Sequence, residues 1–104
     1  MKQVAFTMKL YKGCEAEYKR RHASLWPELG SLLSSSGITD YSIFLDENSL
    51  VLFAVFKIKN EEQFNVLPQH PVMQRWWNYM KDIMETNEDD SPVTTPLQPM
   101  FYLP

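Results

Sequence analysis

The sequence predicts an α+β fold in which a four-stranded antiparallel sheet carries helices on one face. Apolar side chains alternate with a period of two over residues 4–10, while residues 38–46 and 50–58 are runs of β-branched and aromatic residues, and both patterns are typical of strands. Residues 15–35 instead repeat apolar positions every three or four residues, as one face of a helix does. A second helical segment follows the strand pair and precedes the tail. The order β, α, β, β, α, β is that of a split βαβ or ferredoxin-like sandwich.

The first helix is predicted to run from Glu15 to about Ser35. Pro27 interrupts it, and Ser24 could cap a new first turn there, where a missing N–H costs little. We therefore expect a kink at Pro27 and an end at Gly37, a residue that readily leaves the helical conformation.

The second half of the chain starts new helices at recognisable caps. Asn60, followed three residues later by Gln63, resembles a capping box that opens a short helix ending before Pro68. Pro71 suits a first helical turn, and the helix that it opens is predicted to continue through Met84.

The chain is expected to end in two irregular segments. Residues 85–91 are polar and acidic and are predicted to form a solvated loop. Residues 97–103 alternate weakly and are flanked by prolines, which favours an edge strand because proline cannot donate to a sheet ladder.

The hairpin is apolar on both faces. In its second strand Leu52, Ala54 and Phe56 point one way, while the side chains between them are equally apolar: Val51, Phe53 and Val55. One layer of helices covers only one face of a sheet, so the other face needs a second copy of the chain. The sequence thus predicts a homodimer of the dimeric α/β barrel class.

Length and composition limit the class of protein. The 104 residues predict one domain, 1–104, and 44% hydrophobic with 22% charged residues argue against disorder. A net charge of −3 makes nucleic acid and anionic membrane poor candidate partners. No signal peptide or membrane-spanning run is evident. A single cysteine, Cys14, fits a reducing compartment, and we expect a cytoplasmic protein.

His22 is the first candidate for chemistry. It follows Tyr18 by four residues, so the two side chains share one helical stripe. Imidazole exchanges protons near neutral pH, and a phenol can orient it or bind a hydroxyl. The alternatives are a buried histidine bonded to backbone, or an exposed one beside the basic residues Lys19, Arg20 and Arg21.

Trp76, Trp77 and Tyr41 are candidates for binding. Adjacent tryptophans on a helix point about 100° apart, so at least one is expected to face a pocket or a partner. Aromatic faces pack on the C–H faces of sugars, while the alternative is one core tryptophan and one at a dimer contact. The Tyr41 hydroxyl could close the polar end of a cavity, or its ring could simply pack in the core.

Other polar residues predict no site. His70 lies in a Gln-His-Pro turn and is interpreted as a loop or cap residue. Cys14 lacks a partner for nucleophilic catalysis. The acidic residues of the 85–91 loop lack the spacing of a calcium loop, and we predict no metal site.

Several longer motifs together resemble one family. They are YKRRH at 18–22, LWPEL at 25–29, QRWWNYM at 74–80, SPV at 91–93 and FYLP at 101–104, with the Asp40-Tyr41 strand start between them. They run through nearly the whole chain and are similar to those of L-rhamnose mutarotase.

The resemblance implies a cofactor-free, cytoplasmic homodimer of ferredoxin-like subunits that interconverts the α and β anomers of L-rhamnose. It implies His22 as the proton donor and, as sugar contacts, Tyr18, Tyr41, Trp76 and Trp77. It implies neither a metal nor a cofactor.

Anomer exchange requires the ring oxygen to gain a proton as the anomeric hydroxyl loses one, so that the open aldehyde can rotate and close on its other face. We expect His22 to protonate the ring oxygen, Tyr18 or a bound water to handle the anomeric proton, and the tryptophans to hold the ring. The residues leave alternatives open: a cofactor-independent monooxygenase of the same barrel class, a non-catalytic sugar-binding module, or a haem-degrading relative.

Overall fold

A computed structural model describes all 104 residues of the chain. Its elements are β1 (Lys2–Lys9), α1 (Glu15–Ala23), α2 (Pro27–Ser35), β2 (Ile38–Asp46), β3 (Val51–Ile58), α3 (Glu61–Val66), a 3₁₀ turn (Leu67–Gln69), α4 (Pro71–Met80) and β4 (Thr95–Pro96). The strands form one antiparallel sheet in the order β2-β3-β1-β4. The predicted α+β, ferredoxin-like fold is confirmed.

The two faces of the sheet are both apolar in β3, as the sequence predicts, but they differ in burial. Leu52, Ala54 and Phe56 are at most 2% exposed and lie on the inner face, under the helices. Phe53, between them, is 40% exposed, and Phe44 opposite it on β2 is 67% exposed. The outer face therefore presents apolar side chains to its surroundings.

A β-bulge interrupts the pairing of β2 with β3. Thr39 pairs with Lys57 and Ser42 with Val55, so Asp40 and Tyr41 together lie opposite the single residue between those two partners. Asp40 adopts a left-handed φ of 52°, a conformation that aspartate tolerates better than most residues. Bulges re-aim side chains, and this one turns Tyr41 to the inner face.

The single kinked helix predicted over residues 15–35 is wrong, since two separate helices form there. Trp26 precedes Pro27 with an extended ψ of 128°, because the proline ring disfavours the helical conformation of the residue before it. Ser24 caps the end of α1 and does not cap α2. Pro27 opens α2, and Gly37 follows the end of that helix with a φ of +85°.

The last helix is shorter than predicted and the tail strand lies elsewhere. α4 ends at Met80, because Met84 leaves the helix to form an antiparallel bridge with Leu10 on the continuation of β1. The strand predicted over 97–103 is also wrong, since only Thr95–Pro96 pairs with β1 and the residues beyond carry no strand. The predicted edge position is nevertheless correct.

The predicted caps are present. The Asn60 side chain accepts a hydrogen bond of 3.1 Å from the Gln63 backbone N–H at the start of α3. The His70 ring accepts one of 3.2 Å from the Val72 N–H at the start of α4, which confirms it as a cap residue. No helix has the length and apolar character required to cross a membrane.

Two glycines provide a matched test of the backbone. Gly37→Ala is expected to lower the free energy of unfolding by about 1–2 kcal/mol, because alanine is strained at a left-handed φ. Its Cβ would also lie 3.1 Å from the Cβ of Lys59. Gly30→Ala, inside α2, is expected to raise that free energy by about 0.5–1 kcal/mol, because alanine favours helix and its Cβ meets only Leu25, at 3.7 Å. Urea denaturation measures both, and equal effects would contradict this description.

Candidate functional site

A cavity of about 1400 Å³ lies between the inner face of the sheet and the helices. Its wall is mostly hydrophobic and draws on β1, β2, β3, α1, α2 and α4. Five lining residues are those that the sequence singled out: Tyr18, His22, Tyr41, Trp76 and Trp77. The fold thus brings together side chains from α1, β2 and α4.

His22 is held between two aromatic rings. Its ring stacks on that of Tyr18, one helical turn earlier, with centroids 4.3 Å apart. The Trp76 ring meets it edge-on at 5.4 Å. The imidazole Nδ1 lies 3.0 Å from the Tyr18 carbonyl oxygen. Because a carbonyl can only accept, Nδ1 carries a proton in this bond, and Nε2 is left for chemistry.

The surroundings of His22 favour its neutral form. Burial of the ring lowers its pKa below the ordinary 6.5, and the hydrogen bond to the Tyr18 carbonyl only partly opposes this. At neutral pH the imidazole therefore holds one proton, on Nδ1, and presents a lone pair at Nε2.

The two tyrosines of the cavity stay protonated. Burial raises the pKa of Tyr18 well above its ordinary value of 10, and the nearby phenol of Tyr41 raises it further. Burial likewise raises the pKa of Tyr41 to about 12, although 41% of that residue is exposed along the edge strand. The Tyr41 ring packs on Phe56, with centroids 4.8 Å apart, which covers one side of the ring. Both hydroxyls are available as hydrogen-bond donors.

The two tryptophans of α4 differ in burial. Trp76 is 6% exposed and belongs to the main core cluster. Trp77 is half-buried and packs at the margin of that cluster. Both line the cavity, so the expectation that at least one faces a pocket is confirmed.

The segment after α4 supplies polar groups to the cavity wall. Asn87, Asp89 and Ser91 line it, although the sequence predicted only a solvated loop there. The Asn87 side-chain amide donates to the backbone carbonyl of Ser91 at 3.3 Å and of Pro92 at 3.3 Å, which fixes the segment. No periodic pattern in the sequence indicates this contribution, because an irregular loop has none.

Two residues beside the site, one aromatic and one charged, were not predicted from the sequence to contribute to it. Trp26 packs edge-on against Trp76 at 5.1 Å. Arg21, one of the basic residues beside His22, is buried and 8% exposed. It follows Tyr18 by three residues and therefore belongs to the same helical stripe, a signal that was present in the spacing.

Cys14 does not line the cavity. Cys14 is a free thiol at the start of α1, without a side-chain cap bond. No group of three or more histidine, cysteine, aspartate or glutamate side chains is arranged to hold a metal ion.

The family model for L-rhamnose mutarotase matches residues 3–103. The chain belongs to the L-rhamnose mutarotase family. An L-rhamnose mutarotase of Leptothrix cholodnii is 57% identical over 101 residues, which cover 97% of this chain and 95% of that protein. The crystal structure of an L-rhamnose mutarotase from Formosa agariphila superposes with a TM-score of 0.93 at 43% identity, covering 100% of both chains.

A more distant structure agrees in fold alone. A dimeric ferredoxin-like protein from an uncultured marine organism matches with a TM-score of 0.57 and 12% identity over 97% of this chain and 96% of that one. The full-length family match does not favour the monooxygenase, haem-degrading or non-catalytic alternatives. Members of the mutarotase family are isomerases that interconvert anomers.

The His22 ring is expected to titrate below pH 6.5, because burial penalises its charged form. The chain has two histidines, so the ring-proton NMR signals can be assigned with a His70→Gln variant. In urea the His22 signal should move to its ordinary midpoint of about 6.5. A folded-state midpoint above 6.5 would contradict the buried, neutral imidazole.

Proposed function

We propose that this chain interconverts the α and β anomers of L-rhamnose in the cavity, with His22 as the catalytic residue. One observation carries the proposal: the His22 ring lies between two aromatic rings, whose centroids are 4.3 and 5.4 Å from its own. The three rings line a cavity of about 1400 Å³, which is large enough to hold a pyranose. The family match supports the reaction class and the sugar.

The geometry favours His22 as the base in ring opening. Its Nδ1 is occupied by the Tyr18 carbonyl, so Nε2 is the atom that exchanges protons with the sugar. In the neutral form Nε2 accepts the proton of the anomeric hydroxyl as the C1–O5 bond breaks, and the ring oxygen takes a proton from water. After rotation about C1–C2, ring closure reverses these transfers, and the imidazolium returns its proton to the new anomeric oxygen.

The sequence-based expectation assigned His22 to the ring oxygen instead. That assignment needs the imidazolium form at the start of the reaction, which the lowered pKa of His22 disfavours at neutral pH. The phenols of Tyr18 and Tyr41, with raised pKa values, hold their protons and are proposed to donate hydrogen bonds to sugar oxygens. Trp76 and Trp77 are proposed to contact the C–H faces of the ring.

His22→Ala is expected to slow catalysed anomer exchange of L-rhamnose by about 10²- to 10⁴-fold, the usual contribution of a general acid or base. Saturation-transfer NMR measures the exchange, and near-ultraviolet circular dichroism checks that the variant is folded. The matched control is His70→Ala, which removes the other histidine, on the outside of the cavity. Near-normal exchange in folded His22→Ala would reject the catalytic role.

The pH profile separates the two assignments of His22. If neutral His22 starts the reaction, the exchange rate rises with pH through the lowered pKa and is level by pH 7. If the imidazolium starts the reaction, the rate falls with pH over the same range.

A panel of L-rhamnose, L-fucose, D-ribose and D-glucose tests the sugar preference, and equal rates on all four would reject L-rhamnose as the specific substrate.

We also propose that the chain forms a homodimer through the outer face of the sheet. Phe44 and Phe53 are exposed there by 67% and 40%. The tail adds further exposed apolar side chains, namely Leu97, Met100, Phe101, Tyr102 and Leu103. Exposed apolar areas of this kind mark association surfaces. The ferredoxin-like protein from the marine organism, which shares the fold, is dimeric and supports a homodimer.

Phe53→Asp is expected to convert the dimer to a monomer, because it places a charge at the centre of the apolar outer face. Val66→Asp is the control, since Val66 is an exposed apolar residue on α3, away from that face. Sedimentation velocity at micromolar concentration measures both. A wild-type protein that sediments as a stable monomer would contradict the homodimer.

A cytoplasmic location is proposed as well. The one cysteine of the chain is a free thiol, which suits a reducing compartment.

A further inference from the structure

Arg21 is a buried charge that the proposed chemistry does not use. Its side chain is 9% exposed, yet it makes hydrogen bonds in three directions. Nε donates to Glu17 at 2.7 Å, one turn earlier on α1. Nη1 donates to the Tyr79 carbonyl at 2.7 Å. Nη1 and Nη2 together form a bidentate pair with the Asp82 carboxylate, at 2.9 and 3.2 Å.

These bonds connect α1 to the end of α4. Tyr79 lies in the last turn of α4, where helix carbonyls lack partners within the helix, and Asp82 lies in the turn that follows. The guanidinium also lies over the Tyr79 ring, 4.3 Å from its centre. Arg21 therefore contacts backbone, carboxylate and aromatic groups of the segment that carries Trp76.

The helix α1 has little else to hold it. Its sequence is EAEYKRRHA, and its buried residues are Tyr18 and Arg21. A helix without an apolar stripe gains little from hydrophobic packing, which is the usual source of helix stability in a folded protein. The position of α1 depends instead on the aromatic contacts of Tyr18 and His22 and on the Arg21 network.

We propose that Arg21 is a positioning residue that fixes α1, and with it His22, against α4 for anomer exchange. The inference rests on the proposed function of His22. Arg21 does not line the cavity, so its proposed role is not to contact the sugar. It acts through its neighbours, because Tyr79 packs on Trp76 at 5.6 Å and Trp76 in turn meets the His22 ring at 5.4 Å.

Arginine suits this position for geometric reasons. Four of its five N–H donors are used here, including the parallel pair to Asp82. Lysine is a point charge with a tetrahedral set of donors and cannot reproduce a planar bidentate pair. Breaking the network by removing the guanidinium would also leave the Tyr79 carbonyl without this donor.

The test compares Arg21→Met, Arg21→Lys and Arg75→Met. Arg75 is the matched control, since its ion pair with Glu28 joins α4 to α2 at 3.4 Å but is more than half exposed. Such exposed pairs contribute little to stability. If Arg21→Met does not fold, Asp82→Asn removes the bidentate acceptor and leaves the arginine in place.

Two readouts are expected to move together. In Arg21→Met the maximal exchange rate should fall by about 10- to 100-fold, because a small displacement of His22 slows the proton transfer. KM should change little, because the residues that contact the sugar remain. The NMR titration of His22 should also move upward toward its ordinary midpoint, because the ring becomes less buried. Arg21→Lys should recover part of both, and Arg75→Met should match the wild type.

The outcomes separate this inference from the proposed function. A folded Arg21→Met, or Asp82→Asn in its place, that keeps either the wild-type exchange rate or the wild-type His22 titration overturns the positioning role. A wild-type protein that does not accelerate anomer exchange overturns the proposed function. In that case the His22 titration of the same variants still measures whether Arg21 sets the position of the imidazole.

Discussion

The packing of α4 against the inner face of the central strands is the interaction on which the site depends. Trp76 and Met80 join Met8, Leu52 and Ala54 in one buried cluster. The Trp76 indole is therefore part of the hydrophobic core and at the same time a wall of the cavity that meets His22. Core packing fixes side chains in single, dense arrangements. Because the site shares the Trp76 ring with the core, the packing of the core also fixes the position of that ring in the site.

The electrostatics of the cavity follow from its apolar wall. Burial lowers the pKa of the imidazole and raises the pKa values of both phenols, so each group is uncharged near neutral pH. An uncharged, preorganised set suits a sugar, which is itself neutral and offers hydroxyl and ether oxygens. Three charged residues of α1, namely Glu17, Arg20 and Arg21, do not line the cavity, and there the two arginines hold the pKa of Glu17 to about 2.

Much of the fold was predictable from the sequence because local periodicity determined it. The two apolar runs over residues 38–46 and 50–58 predict the hairpin, and the caps at Asn60 and His70 start helices by side-chain hydrogen bonds that the residue types indicate. The errors arose where tertiary pairing decides. Met84 leaves α4 because Leu10 offers a strand partner, and Arg21 is buried because distant acceptors on Tyr79 and Asp82 satisfy its charge.

The bulge in β2 has a consequence beyond the orientation of Tyr41. β2 is an edge strand, and a regular edge offers a row of free N–H and C=O groups on which a foreign strand can add. The extra residue at Asp40 breaks the regular spacing of that row and twists the strand locally. The same backbone irregularity that brings a phenol into the cavity thus makes this edge a poorer template for the addition of a foreign strand.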